Sequence, residues 1–529
     1  GVVTAQTDDH HADDNDAQQD QNGNAGDHAQ LFSGGGENKV RVLNRAEDDM
    51  SVQLKLKQYT AEEISNLTGG TLVEYNGGEK NAQSFVAIDS REAGDGVVFC
   101  AIKGERADGN DYILSAIEMG SSVFICGRVP DDAKNCGRPF SAIIVEDTVK
   151  ALGLLSYNYR SLSKAKFIGV TGSVGKTTTK EFIYSVCSAK YKTHKTQGNY
   201  NSLIGLPLTV FGIEPDDEVV VLEMGMSALG EIEFMSNIAR PDIAVITTIG
   251  TSHLASLGTR ENICRAKMEI RAGLSNSGSL ILNGDDQYLI NASEQLTKRP
   301  VFFSQNSPTA DYRAVNIRQQ EGSIIFDLLA SGKAQTNIEI PVLGKHNVSN
   351  ALVGYIVGAL LGMTDAEIRR GLKSFVNVDK RQKIYDIGGL TVIDDCYNAS
   401  PESMRAAVDV LVSVASKKKA RPTALLGDML ELGKDSKMLH DQIGQYAAEA
   451  GVEKLFCYGK TADVIAEAAI KNGIRAENVY VCLDSSTPDI MAEMINGAVK
   501  NGDILLVKAS RGVAAENVIE ALRKKKNTK

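Results

Sequence analysis

"KFIGVTGSVGKTTTKEFIYSVCSA", residues 166–189, decides the reading of the fold. "KFIGV" is a compact apolar strand, "TGSVGK" a glycine-rich turn, and "TTTKEFIYSVCSA" a helix. A helix start exposes unpaired N–H groups and the positive end of its dipole, which suits an anion. Gly172 and Gly175 let the backbone approach phosphate oxygens, with Ser173 and Val174 filling the turn between them. Lys176 reaches the terminal phosphates, Thr177 offers a hydroxyl to Mg²⁺, and Thr178 follows in the first helical turn. The spacing departs from G-x-x-x-x-G-K-[ST]: Val170 stands six residues before Lys176, and the upstream glycine is Gly169. The strand–turn–helix context favours a nucleotide site over a chance glycine-rich turn.

Outward from this stretch the same alternation continues. "EVVVLEMG", "DIAVITTIG" and "GSLILN" are short apolar runs between helical patterns, the mark of a parallel sheet covered on both faces. Residues 310–345 alternate more like hairpin strands. From about 380, "LTVIDDCYN", "PTALLGDM", "KLFCYG", "NVYVCL" and "DILLVKAS" form another α/β unit. Before the phosphate turn, "SFVAI", "GVVFCAI", "SSVFIC" and "SAIIV" mix with helical stretches as a small α/β domain. The expected fold class is therefore α/β in three domains. Residues 50–162 form the small one, 163–379 a central, mostly parallel sheet with the phosphate turn, and 380–529 a Rossmann-like unit.

Composition bounds the rest. The chain has 529 residues, 43% hydrophobic and 23% charged, enough for substantial cores. Of the net charge of −10, residues 1–49 carry −8, from 11 acidic and 3 basic side chains. The body is nearly neutral and offers no broad basic surface for nucleic acid. The polar, acidic 1–49 segment cannot bury enough apolar surface to order itself, so a disordered extension is expected there. Solvation, rather than metal binding, is the expected state of its His10, His11 and His28. No apolar run is long enough to span a bilayer. The eight cysteines include no CxxC pair and fit reduced thiols in a cytoplasmic protein.

Several polar residues sit where chemistry is carried. Glu223 ends the strand "EVVVLEMG", at the edge where open α/β sheets bind ligands, and suits either Mg²⁺ or a local partner. His253 closes the strand "DIAVITTIG" in the same way, though a lone histidine is more often structural. Lys267 reads as an ordinary helical lysine. Asn347 and Asn350 in "GKHNVSN" could cap the helix that follows. Asn199 and Asn201 read as turn residues, and Arg381 as one charge in a basic run.

Taken together, "TGSVGKTTTKE", "QGNYNSLIGLPLTV", "VLEMGMSALGEI", "IGTSHLASLGTRENICRAKMEI", "LGKHNVSNALVG", "DDCYNASPESM", "LLGDMLELG" and "VKASRG" resemble the Mur ligase superfamily in content and order. The likeness covers nearly all of 50–529 and none of 1–49. Val174, Cys396 and Ser400 depart from the family's commoner residues without removing a charge. The resemblance implies ATP-driven amide formation through an acyl phosphate, with ATP and Mg²⁺ as cofactors. The "EMGM", "YNASPESM" and "GDMLELG" segments point to D-Ala-D-Ala as the incoming group and a UDP-N-acetylmuramoyl-tripeptide as its acceptor, in cell-wall synthesis. Addition of one amino acid to a shorter UDP-muramoyl-peptide stays open, as does a nucleotide-binding regulator without ligase chemistry. A monomer is expected.

The resemblance also implies roles for single residues. Glu223 and His253 join Thr177 as metal ligands, and Lys267 is carbamylated beside the metal. Lys176, His253 and Lys267 form the catalytic set. Asn347 and Asn350 lie near adenine, Arg381 bridges to ATP phosphates from the third domain, and Asp395 takes the ribose hydroxyls. Ser90 and Arg91 belong to a uridine-nucleotide segment that includes Lys103, Gly104 and Glu105. Asn199 and Asn201 contact the muramoyl-peptide, while Lys508, Ser510 and Arg511 meet a substrate carboxylate or the dipeptide.

Overall fold

The computed structural model describes residues 3–4, 51–104, 107–330, 332–377 and 380–527. The acidic segment at 5–50, with His10, His11 and His28, and Glu105 of the uridine segment lie outside the described residues. Three sheets organise the rest, so the three-part α/β architecture expected from the apolar runs is present.

The first sheet has six strands, in the order Ser51–Gln53, Phe85–Ala87, Val97–Cys100, Val123–Cys126, Phe140–Ile144 and Thr71–Tyr75. Its middle four are parallel and its two edges antiparallel. Helix Thr148–Arg160 leads from it to the second sheet, with Asp147 capping its first turn.

The second sheet has nine strands. The phosphate-turn strand Lys166–Thr171 runs parallel between Val219–Glu223 and Ile243–Ile246. Both neighbours come later in the chain, so the sheet switches direction at this strand and opens a crevice at its carboxyl end. The segment read as hairpin-like forms three antiparallel strands, Tyr312–Gln319, Ile324–Ala330 and Lys333–Ile340. Helix Lys176–Ser188 buries Phe182, Ile183 and Val186 against helices His346–Leu360 and Asp365–Lys373. The Phe182 ring stacks on Phe375 at 3.8 Å. Each such side chain contributes about 1.5–3 kcal/mol of burial, which anchors the helix whose N-terminus faces the crevice.

The third sheet runs Val3–Thr4, Val479–Cys482, Lys454–Tyr458, Pro422–Gly427, Ile504–Lys508, Leu390–Asp394 and Lys383–Ile387. Only Lys383–Ile387 is antiparallel to its neighbour. At the edge of this sheet, Val3–Thr4 pairs with Tyr480 and Val481.

Candidate active site

The carboxyl ends of the second and third sheets face each other across a cleft of about 910 Å³, the size of an enclosed small-ligand site. The phosphate turn forms one wall. Gly172 has φ 151°, and a Cβ there would stand 1.8 Å from Thr247 Oγ1. Gly175 has φ 84°, and a Cβ would meet Asn350 Oδ1 at 2.8 Å. Thr247 Oγ1 donates to the Val174 carbonyl at 2.6 Å, tying the turn to the next strand. Lys176 Nζ donates to the Gly172 carbonyl at 2.7 Å and so folds back over the turn. Burial holds its pKa below the usual lysine value, opposed by Glu223 and reinforced by Arg381.

Glu223 ends its strand as expected and is buried. Its Oε1 accepts from the Thr177 hydroxyl at 3.2 Å and from Asn201 Nδ2 at 2.8 Å. Its Oε2 is buried without a hydrogen bond, as is Ser173 Oγ. A hydroxyl beside an unsatisfied carboxylate oxygen is the hard-donor chemistry that Mg²⁺ takes, so these residues fit the cation. Behind them, buried Lys180 reaches the Thr196 carbonyl at 2.8 Å, Glu181 at 3.0 Å and Glu223 Oε2 at 3.9 Å.

Of the other two expected metal residues, His253 lines the same cleft, and Lys267 lies near enough to Lys176 to feel its charge. His253 does not close its strand, which ends at Ile246. It heads the short helix Leu254–Leu257 with φ 65°, and its Nδ1 lies 2.8 Å from Glu431 Oε2 of the third domain. That contact lowers the Glu431 pKa. Lys267 is 1% exposed in helix Arg260–Met268. Burial first, then the Lys176 charge, pushes its pKa well below the ordinary value. Among the described residues no group of three or more His, Cys, Asp or Glu is set to hold a metal.

Asn347 and Asn350 also differ from the capping role open to them. Helix His346–Leu360 has Lys345 at its N-cap and no side-chain cap. Asn347 Nδ2 instead donates to the Leu343 carbonyl and Asn350 Nδ2 to Asn347 Oδ1, while Thr179 donates to Asn350 Oδ1. This chain of amides backs the phosphate turn.

From the third domain's side, Arg381 Nη2 donates to the Thr177 hydroxyl at 3.0 Å, and its guanidinium lies 4.2 Å from the Tyr397 ring centroid. Arg511 lies over the same ring at 5.2 Å. Lys508, 2% exposed, donates to Asp395 Oδ2 at 2.7 Å and to the Asn398 carbonyl at 2.9 Å. The Ser510 hydroxyl accepts from Leu430 N–H at 2.9 Å. Lys508 and Ser510 thus brace the loops that carry Asp395 and Glu431. Asn199 and Asn201 line the cleft opposite. Ser90 and Arg91 do not line it: they form a short 3-10 turn in the first domain, where Arg91 is exposed and pairs with Asp89.

Sequence reasoning missed the residues that hold this arrangement. Asp286 Oδ2 accepts from Thr248 Oγ1 at 2.9 Å and from Ile249 N–H at 2.6 Å, while Arg260 donates to the Ile249 carbonyl. Lys180, Glu402 and Glu431 were also unmarked. The available signal was their place inside the quoted motifs.

Comparison with known proteins gives the family. Residues 170–358 match the Mur ligase middle domain, 380–511 the Mur ligase glutamate ligase domain, and 83–159 the Mur ligase family catalytic domain. The chain is 38% identical over 467 residues to the UDP-N-acetylmuramoyl-tripeptide–D-alanyl-D-alanine ligase of Bacillus subtilis (strain 168), covering 88% of this chain and 98% of that one. It is 31% identical to the Escherichia coli (strain K12) protein of the same name, over 83% of this chain and 93% of that one. A crystal structure of MurF from Acinetobacter baumannii matches with a TM-score of 0.79 at 28% identity, covering 88% of this chain and 99% of that one. The MurF ligase of Thermotoga maritima in complex with ADP matches at 0.73 and 29% identity, over 84% and 98%. With three family segments laid end to end over its three sheets, the chain belongs to the Mur ligase family.

Proposed function

We propose that the chain joins D-Ala-D-Ala to UDP-N-acetylmuramoyl-tripeptide at the expense of ATP, a step of peptidoglycan precursor synthesis that cell shape and division depend on. The observation that carries this is the single cleft in which the phosphate turn, Glu223 and the Asp395–Arg381 side of the third domain converge. The relatives matched over nearly their whole length bear this activity in their names.

The chemistry follows from the groups present. A carboxylate is a poor electrophile, because its charge repels an amine. The tripeptide's terminal carboxylate attacks the γ-phosphorus of ATP, ADP leaves, and an acyl phosphate forms. The dipeptide amine then attacks the carbonyl carbon, loses a proton, and inorganic phosphate departs. Such transfer rests on positioning and charge neutralisation. The backbone of residues 172–177 cradles phosphate, Lys176 turns from Gly172 toward the terminal phosphate, and Arg381 neutralises charge from the opposite wall. Thr177 and Glu223 would hold Mg²⁺, which draws negative charge off the phosphates. Lys267, as a carbamate, would supply a further anion there, and His253 a nitrogen donor once released from Glu431. Asp395 would bind the ribose, and Asn347 and Asn350 the adenine side. Asn199 and Asn201 would meet the muramoyl-peptide, and Lys508, Ser510 and Arg511 the dipeptide side. Ser90 and Arg91 would meet the uridine end.

We take 50–162 as the UDP-substrate domain, 163–379 as the ATP domain and 380–529 as the closing ligase domain. We take the enzyme to use these nucleotide-linked substrates in the cytoplasm, and to work as a monomer. Among the described residues no helix is long and apolar enough to cross a membrane. The test is ADP release with UDP-N-acetylmuramoyl-tripeptide, D-Ala-D-Ala and ATP. Turnover requiring all three supports the reading. Turnover with a single amino acid on a shorter UDP-muramoyl-peptide, or none, ends it.

A further inference from the structure

Glu402 stands in the first turn of helix Pro401–Lys418, in the third domain, yet its hydrogen bonds do not go to its own helix. Ser400 and Ser403 form the capping box there. Both Glu402 carboxylate oxygens go instead to one residue of the central domain. Oε1 accepts from Thr251 N–H at 3.1 Å and from the Thr251 hydroxyl at 3.2 Å, and Oε2 from the same hydroxyl at 3.2 Å. The carboxylate also lies close against the neighbouring backbone: a Cβ on Gly250 would meet the Glu402 carboxyl carbon at 2.9 Å.

The loop that Glu402 grips has little slack. Asp286 takes its Ile249 N–H, Arg260 its Ile249 carbonyl, and Thr247 holds the Val174 carbonyl of the phosphate turn. Four residues beyond Thr251, Ala255 N–H donates to the Glu431 carbonyl at 2.9 Å, a second bond across the same boundary. The far end of the Glu402 helix is tied as well. Ser413 Oγ donates to Gln319 Oε1 at 3.1 Å and Lys417 Nζ to the Gln319 carbonyl at 2.9 Å, at the end of a central-domain strand. The helix is therefore anchored at both ends, over about 17–22 Å of its axis.

We propose that Glu402 is a positioning residue for ligation. It registers the third domain on the loop after strand Ile243–Ile246, so that Arg381, Asp395 and Arg511 face the phosphate turn. Its consequence for turnover rests on the ligase reading; the contact itself does not.

The experiment is amide hydrogen exchange on the full chain, read residue by residue, together with steady-state kinetics. Glu402→Ala should speed exchange about tenfold at Thr251 and also at Ala255, whose amide Glu402 does not touch. With ATP and dipeptide both saturating, kcat should fall about tenfold while the dipeptide KM stays within about twofold. Glu402→Gln keeps an acceptor oxygen and should restore much of the protection. Should the alanine variant not fold, Thr251→Val removes the hydroxyl from the other side and should again loosen Ala255. Faster exchange at Thr251 alone, or a raised dipeptide KM with kcat kept, overturns the proposal. Absence of wild-type turnover would instead sink the ligase reading and leave the exchange comparison standing.

Discussion

The Thr177 hydroxyl, in the first turn of helix Lys176–Ser188, donates to Glu223 Oε1 at the end of its strand at 3.2 Å, and the other carboxylate oxygen is buried without a hydrogen bond, 3.9 Å from Lys180 Nζ. A buried acceptor without a partner costs stability. Here it marks the place where a cation is expected. Glu223→Gln keeps the shape but puts an amide where that cation would sit. ADP release should fall about a hundredfold. ADP binding to the phosphate turn, measured by calorimetry without Mg²⁺, should change little. Unaltered turnover across a Mg²⁺ titration would remove Glu223 from the metal site.

Gly172 tests the turn itself. Its φ and the 1.8 Å approach to Thr247 Oγ1 leave no room for a methyl group. Gly172→Ala should weaken ADP binding by at least about tenfold and lower the melting temperature. Binding at wild-type affinity would show that the turn can shift without harm.

Lys267 carries a sharper test. A surface lysine would tolerate replacement, whereas this one is buried and its pKa is strongly depressed. Lys267→Ala should cut turnover about a hundredfold, and acetate or another small carboxylate should restore part of it. The sign for stability is opposite. The unfolded chain protonates this amine more readily, so at neutral pH burying it costs stability. Lys267→Met should therefore melt higher at pH 7, with a smaller gain at pH 9. A Met variant that melts lower and an Ala variant with normal turnover would together reject the assignment.

His346 gives the acid dependence. Burial lowers its pKa from 6.5 to about 4. The folded chain therefore keeps it neutral where the unfolded chain takes a proton. Its contribution is complete above the unfolded value and is lost as pH falls from there through about 4, up to about 3 kcal/mol. Urea midpoints at pH 7 and 4.5 should drop further in the wild type than in His346→Gln. Equal drops would place the acid sensitivity elsewhere.

Much of the fold was legible because buried parallel strands announce themselves as short apolar runs. "KFIGV", "PTALLGDM" and "DILLVKAS" all became strands within a residue or two of the quoted stretches. The phosphate turn was legible because its chemistry is local: glycines, lysine and threonine act within one turn of chain. Glu223 was legible because a charged residue after four apolar ones marks a strand end. His253 was less so. Its strand stops early, and its partner Glu431 lies far along the sequence. Lys267 looked ordinary because burial is not written in a helix that also carries Arg260 and Arg265.

The order of strands and helices, the phosphate turn and the family motifs came from the sequence, since each rests on side chains only a few positions apart. Tertiary structure decided which of those motifs meet. It paired His253 with Glu431, closed Lys508 onto Asp395, and brought Arg381 to Thr177 and Glu402 to Thr251. Hydrogen bonds and ion pairs form over a few ångströms whatever the separation along the chain. Only the packing of one sheet edge against another sets which donors and acceptors come within reach.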